Sequence, residues 1–374
     1  MSVRSIVLPL ALLAATALST QAQAQIAAVA IDNKMVNENG VTKAAVNPAP
    51  DSVIFFDMSA TTPRELGRIE APTSAGGPPS TLAITKDESL AIVTGGPADT
   101  VTLVDLSSGK PKVADSIKAG KAPAGVSITP DGKTALVANR GDGTVSVLAI
   151  SGKKLKLVGT VKVGDVESQP SHAAITPDGK VALVTLQGEY GVAVLDIDGQ
   201  TVTVRDQELL TPGVRPYGLD ITPDGELAVV GNMGRTVGDV DTVALVDLTA
   251  DPVRVVNIVP VGVEPESVVF SPDGRYLAVG MQNGSQFPKD AWFYNDGGKL
   301  SLYAVDGHEL KKLDETRIGH WTQGVAFSPD GRKIYVESML ERDIQIFDWN
   351  GKRLKDTGQH IDLSGGGAAM QTSY

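Results

Sequence analysis

His172, Arg215, Tyr217, Glu264 and Glu266 each stand within two residues of Pro170, Pro216 or Pro265, and each of those prolines opens a nearly identical phrase. An imidazole, a guanidinium and two carboxylates at matching places in successive repeats could converge on one small ligand, with His172 as general base and Arg215 steadying a developing oxyanion. The structural alternative is a hydrogen-bonded histidine and an ion pair between repeats. His320 and Trp321 open a further repeat and offer a second base and a ring suited to stacking on a cyclic ligand or to packing between repeats. The catalytic candidates are therefore His172, Arg215, Glu266 and His320, and the ligand-binding candidates Arg140, Glu189, Tyr190, Tyr217, Glu264 and Trp321. There is no G-x-S-x-G elbow, H-E-x-x-H zinc helix, Walker loop or EF-hand loop. No metal is assigned; a divalent site assembled from loops would draw on His172, His320, Glu189, Glu264 and Glu266. No cofactor is assigned either.

The elements that must position these groups are written in the repeat. After Pro79, Pro123, Pro170, Pro216 and Pro265, and again after Thr322, comes a short apolar phrase closed by Lys-Asp-Glu in the first copy and Pro-Asp-Gly in the others. The turn prolines Pro130, Pro177, Pro223, Pro272 and Pro329 recur 47, 46, 49 and 57 residues apart, close to the period of a four-stranded propeller blade. Each unit reads as strands A, B, C and D; in the unit after Pro123 these are Ala124–Thr129, Thr134–Asn139, Thr144–Ile150 and Lys156–Val163. Proline presets φ for the turn and aspartate and glycine suit its later positions, so the Pro-Asp-Gly triplets are structural.

Six copies are complete, and the two ends hold complementary fragments. Ile26–Met35, Ser52–Met58 and Glu65–Ala71 read as strands B, C and D without an A, while Gly365–Gln371 reads as an A strand with nothing after it. Together they make a seventh blade. The fold expected is an all-β, seven-bladed β-propeller of four-stranded antiparallel blades, closed by a C-terminal strand A that completes the N-terminal blade.

The strand-B segments Ile92-Val93-Thr94-Gly95, Leu136-Val137-Ala138-Asn139, Leu183-Val184-Thr185-Leu186, Val229-Val230-Gly231-Asn232 and Tyr335-Val336-Glu337-Ser338 resemble the YVTN-type β-propeller repeat proteins over nearly the whole chain. The resemblance implies the fold. Similar architectures carry several functions, among them surface-layer proteins, lactonases, a streptogramin-ring lyase, the d1-haem domain of nitrite reductase and the amine dehydrogenase heavy chain. No local motif matches a catalytic residue of these relatives.

In such a meander the D–A and B–C connections share one face of the ring and the A–B and C–D turns the other. The turns are alike, so the expected functional face is that of the D–A and B–C loops. His172 lies on it where other units have Thr81, Gly125, Gly218, Ser267 and Gly324. The B–C loops Asn232–Asp241 and Gln282–Gly298 are long and belong to adjacent units, the second read as the longest of all. It holds Phe287, Trp292, Phe293 and Tyr294, in a chain whose aromatic content is 5%. These four are the candidates for a partner contact or a lid, or else a small satellite core.

Composition narrows the setting. Arg4, the apolar run Ile6–Ala15 and the small-residue site Ala22-Gln23-Ala24 read as a cleaved signal peptide over residues 1–24. Residues 25–374 would then be a single propeller domain, expected in the periplasm as a monomer. With no cysteine there is no C-x-x-C-H haem attachment, no cysteine-ligated cluster and no cysteine nucleophile. A net charge of −11 repels phosphate backbones, so nucleic acid is not an expected partner. Two function classes follow. The first is a platform binding a small molecule or a periplasmic protein through the D–A/B–C face; the second is a lactonase-like hydrolase or lyase at the channel mouth.

Overall fold

Each inner strand ends in a side-chain clasp that explains the recurrence of its closing phrase. Thr129 Oγ1 donates to Asp131 Oδ1 at 2.6 Å and accepts from the Thr134 N–H at 3.1 Å, while the same aspartate oxygen accepts from the Lys133 N–H at 3.0 Å. Thr176, Thr222, Ser271 and Ser328 repeat the clasp. Thr85 repeats it as well, with Glu88 taking at φ 58° the left-handed place that glycine holds in Pro-Asp-Gly.

The computed structural model describes residues 25–38, 41–59, 62–73 and 79–373. The proposed signal peptide, residues 1–24, lies outside them. Seven four-stranded antiparallel sheets form the ring. Blade 1 is Gly366–Thr372, Ile26–Asp32, Ser52–Asp57 and Arg64–Glu70, from the axis outward. Blade 2 is Leu82–Ile84, Leu90–Gly95, Thr100–Asp105 and Lys112–Lys118. Blade 3 is Pro123–Ile128, Thr134–Asn139, Thr144–Ser151 and Lys154–Lys162, and blade 4 is Pro170–Ile175, Val181–Leu186, Gly191–Asp198 and Thr201–Val204. Blade 5 is Pro216–Ile221, Leu227–Asn232, Asp241–Asp247 and Arg254–Gly262. Blade 6 is Pro265–Phe270, Tyr276–Met281, Gly298–Asp306 and Glu309–Ile318, and blade 7 is Thr322–Phe327, Lys333–Ser338, Asp343–Trp349 and Leu354–Asp362.

The C-terminal strand closes the ring as its unmatched sequence requires. Ala27 pairs with Thr372 and Asp32 with Gly366, with a bulge between Ala30 and Ile31. The core lies between the blades rather than at the axis. Leu136, Ala138, Val145 and Val147 of blade 3, for example, pack on Ala173, Ala182, Val184 and Leu195 of blade 4. Such mid-strand residues are apolar on both faces because each sheet is covered on both sides.

Two expectations are corrected near the N-terminus. The strand read as Ile26–Met35 stops at Asp32, and a separate hairpin follows, Met35–Glu38 paired with Val41–Ala44. Residues 33–51 therefore form the longest B–C connection, and Gln282–Gly298 is second. The hairpin is hidden in the sequence because both its strands are short and polar, without the apolar run of a blade strand. It reaches across the loop face to blade 6, where Asn37 Nδ2 donates to the Gln286 carbonyl at 3.2 Å, and Met35 packs against the same core as Trp321.

Candidate active site

The loop face is built on one repeated corner. The residue before each inner strand is left-handed in five blades, at Ala122, Gln169, Arg215, Glu264 and Trp321, with φ between 47° and 57°. Each costs about 1 kcal/mol in backbone strain. One hydrogen bond per blade holds it: the N–H groups of Arg140, Gln187, Met233, Gln282 and Met339, each just past strand B, donate to these five carbonyls in turn. The repeat thereby sets a ring of paired side chains around the axis, and the residue types at these places decide the chemistry.

On the side of blades 3 to 5, Arg140 donates to Gln187 Oε1 at 2.6 Å and to Gln169 Oε1 at 3.4 Å, and is also hydrogen-bonded to Tyr217. Burial raises the Tyr217 phenol and the nearby Glu266 adds to this, so the hydroxyl stays protonated. In blades 5 to 7 the cluster is acidic. Glu266 accepts from Gln282 Nε2, and from Gln323 Nε2 at 3.1 Å when that amide is oriented so that Trp321 Nε1 donates to its oxygen at 2.6 Å. Glu264 Oε2 accepts from Gln286 Nε2 at 2.8 Å and from the Gly284 N–H at 3.3 Å, while its Oε1 is buried without a partner. Burial first, then the neighbouring Glu264 and Glu337, hold the Glu266 carboxyl well above the ordinary glutamate range, against the opposing pull of Arg215. Glu266 therefore keeps its proton to a higher pH than an ordinary glutamate does.

Glu337 was not among the sequence candidates. It is fully buried, both its carboxyl oxygens lack a partner among the described residues, and burial holds it well above the usual range. Its space comes from the glycine run of the closing strand: a Cβ on Gly367 would overlap the carboxyl, and one on Gly324 would crowd it. A signal was present, since strand B carries Thr94, Ala138, Thr185, Gly231 and Gly280 at the place of Glu337. Thr94 and Thr185 reach the next blade there, donating to the Ala124 and Tyr217 carbonyls at 2.5 and 3.2 Å.

Raised carboxyls leave a mark on stability. The folded chain keeps protons at Glu266 and Glu337 that the unfolded chain gives up near the ordinary glutamate value of 4.5, so their contribution is complete below that range and is lost as pH rises through the raised native values. Stability is expected to fall as pH rises above about 5, by up to about 1.4 kcal/mol per pH unit for each group until its raised native pKa is passed. Urea unfolding of wild type and Glu337→Gln across that range checks this: the variant should show the shallower slope, and an equal slope would refute the assignment.

A central cavity of about 480 Å³ runs along the inner strands. Its inner end is lined by Ser80, His172, Glu266 and Ser267, and its wall continues past Asp220 to Pro130, Pro177 and Pro223 of the turns, which are exposed. The open end is thus on the A–B turn face, and the expectation of a mouth on the D–A/B–C face is corrected. On that face the blade 1 hairpin meets the blade 6 loop, through Asn37 and the Gln286 carbonyl. His172 is 9% exposed, its Nδ1 is buried without a partner, and desolvation lowers its pKa to about 3. It is neutral at every physiological pH. Asp220, on the wall, accepts from the N–H groups of Phe270 and Ile221 at 2.7 and 2.9 Å, yet burial still pushes it up to about 7.

The remaining candidates lie elsewhere. Arg215 forms no ion pair with Glu264 or Glu266 among the described residues; its guanidinium donates to the Gly234 carbonyl at 3.5 Å and acts on both carboxyls at longer range. His320 sits at the rim with both ring nitrogens engaged, Nδ1 with Glu341 at 2.6 Å and Nε2 with Asp296 at 3.2 Å. Glu189 accepts from Ser168 Oγ, and Tyr190 is an exposed turn residue at φ 57°. Trp321 is held by its Nε1 bond to Gln323 and packs against the core cluster shared by blades 1 and 2. Among the described residues no group of three or more histidines and carboxylates is placed to hold a metal ion.

Of the aromatic loop, Phe293 packs edge-on against Phe287 and Trp292 at centroid distances of 5.0 and 5.4 Å, and Gly238 of the blade 5 loop lies against Phe293. The two loops form one wall. Only Trp292 is largely open, at 79%. Tyr294 leans on Asp296 and His320 at 3.3 and 3.5 Å.

The fold defines a seven-bladed β-propeller whose axial cavity ends on buried acids. The family described as Lactonase, 7-bladed beta-propeller, matches residues 108–217, from the end of blade 2 to Tyr217, and over this stretch the chain is similar to that family. A search of the curated proteins returned no match. Solved structures share the fold. A periplasmic gluconolactonase of Pseudomonas aeruginosa is 19% identical, with 93% of this chain and 99% of that one covered and a TM-score of 0.67. A candidate 6-phosphogluconolactonase of Bacteroides fragilis is 17% identical, with 95% and 99% covered and a TM-score of 0.71. Hydrazine synthase of Kuenenia stuttgartiensis is 22% identical, with 80% and 91% covered and a TM-score of 0.62. The chain is thus a seven-bladed propeller that resembles the lactonase family over residues 108–217 and has gluconolactonases among its structural neighbours. No helix of the described residues is long and apolar enough to cross a membrane.

Proposed function

We propose that this protein hydrolyses a small lactone in its central channel. One observation carries the reading: Glu266, an acid whose pKa burial raises, and His172, a neutral imidazole with an unpartnered Nδ1, line the inner end of the same cavity. Its volume of about 480 Å³ falls within the usual range for small-molecule sites. Water held as a donor to His172 attacks the acyl carbon, the acyl–oxygen ring bond breaks, and the departing ring oxygen takes the proton of Glu266. The Glu266 carboxylate then recovers a proton from the added water, leaving a hydroxy acid. At a pKa of about 3, His172 orients the water rather than removing its proton. The likeness of residues 108–217 to the lactonase family supports the reading and covers His172.

The test is hydrolysis of a panel of five- and six-membered lactones by the protein from Gln25 onward, with thermal unfolding followed in parallel. His172→Ala is expected to lower turnover at least tenfold and to abolish stabilisation by the same compounds. Equal turnover in the variant would reject the channel as the site. We also propose export to the periplasm as a monomer, on the signal-peptide pattern of residues 1–24, which fractionation of the host cell checks. A second reading, a docking platform, draws support from the exposure of Trp292, Val237 and Val240 on the neighbouring loops of blades 5 and 6.

A further inference from the structure

We infer that the channel accepts an uncharged lactone and rejects one that carries a phosphate. The inference rests on the lactone reading above and adds the class of substrate. Recognition of a phosphate needs fixed cations or a convergence of N–H donors, and arginine forks and lysine are the usual means. Among the described residues that line the cavity, the one lysine or arginine is Lys86, exposed at the outer rim where it takes the place of a turn proline. The groups that occupy the depth of the channel are of the other kind: Asp220 on the wall, Glu266 at the end, His172 without charge, and the hydroxyls of Ser80, Ser127 and Ser267. Arg140 and Arg215 do not line it, and Arg140 is already committed to Gln187 and Tyr217. A net charge of −11 on the whole chain works in the same direction.

Hydroxyls, a neutral imidazole and a protonated carboxyl are donors and acceptors suited to a polyhydroxylated ring. A phosphate dianion brought into this space would lose its water and meet no compensating charge. The same asymmetry helps turnover. Adding water across the acyl–oxygen bond turns a neutral ring into a hydroxy acid, which ionises by releasing one proton to solvent. The product is then an anion in a channel walled by carboxyls, and it leaves readily.

The experiment uses two matched pairs and the full chain. Hydrolysis of glucono-1,5-lactone is compared with that of its 6-phosphate, and binding of glucose is compared with that of glucose 6-phosphate by calorimetry, so that one pair reports without any reaction. The neutral member is expected to win at least tenfold in each pair. Ser127→Lys places a cation on the wall at the place Asp220 occupies two blades away, and is expected to narrow the gap in binding at least threefold; Asp220→Asn should narrow it to a smaller extent. If neither lactone is hydrolysed but glucose still outbinds its phosphate, the lactonase reading falls and the exclusion of anions stands. The inference is overturned if the phosphorylated member equals or exceeds the neutral one in either pair, if neither sugar binds, or if a stably folded Ser127→Lys discriminates as wild type does.

Discussion

Removing residues 365–374 is expected to abolish the cooperative thermal unfolding of this protein near the wild-type temperature. The strand Gly366–Thr372 is the inner strand of blade 1, and it buries Ala368, Ala369 and Met370 while packing on the inner strands of blades 7 and 2. Its loss opens the ring, exposes the Ile26–Asp32 edge and uncovers Glu337, whose carboxyl rests against Gly367. Each of these is a mechanism that on its own produces large destabilisation, and a total above about 5 kcal/mol is a substantial part of the stability of an ordinary domain. Calorimetry or circular dichroism on the truncated chain measures it. A melting temperature equal to that of the full chain would show that the closing strand contributes nothing to closure.

Glu266→Gln should lower lactone turnover by about a hundredfold to ten-thousandfold, the range lost with a general acid, with little change in KM. The substitution keeps the shape of the side chain and one carbonyl oxygen to accept from Gln282, so folding is expected to survive. It removes the proton that the mechanism delivers to the departing ring oxygen. The pH profile separates this from a merely structural role: wild-type activity should persist above the ordinary glutamate range, because burial raises the carboxyl, and fall as pH rises through its native pKa. The variant should show a residual rate without that limb. Full activity in Glu266→Gln would remove this acid from the mechanism.

Much of this architecture is legible in the chain. The Thr-Pro-Asp-Gly phrases state where each inner strand ends, because a hydroxyl, a preset φ, a carboxylate and a left-handed glycine are what that clasp consumes. The unmatched fragments at the two ends state that the ring closes on itself. The candidates flanking the strand-A prolines do share one ring of corners, since residue position within a repeat fixes position around the axis.

What the chain did not disclose depends on neighbours distant in sequence. The hairpin that follows Asp32 carries no strand pattern of its own, and its reach to Gln286 joins the loops of blades 1 and 6. Glu337 is an ordinary strand residue until the glycines of the last strand leave it room and withhold hydrogen bonds. His320 looks as available as His172, yet Glu341 and Asp296 occupy its two nitrogens while burial leaves Nδ1 of His172 unpartnered. The sequence by itself determined the blades, their number and their closure, because these follow from local turn chemistry and strand periodicity repeated along the chain. Only the tertiary structure decided where the cavity reaches the surface and which acids are raised, because access and desolvation are set by side chains that meet across blades.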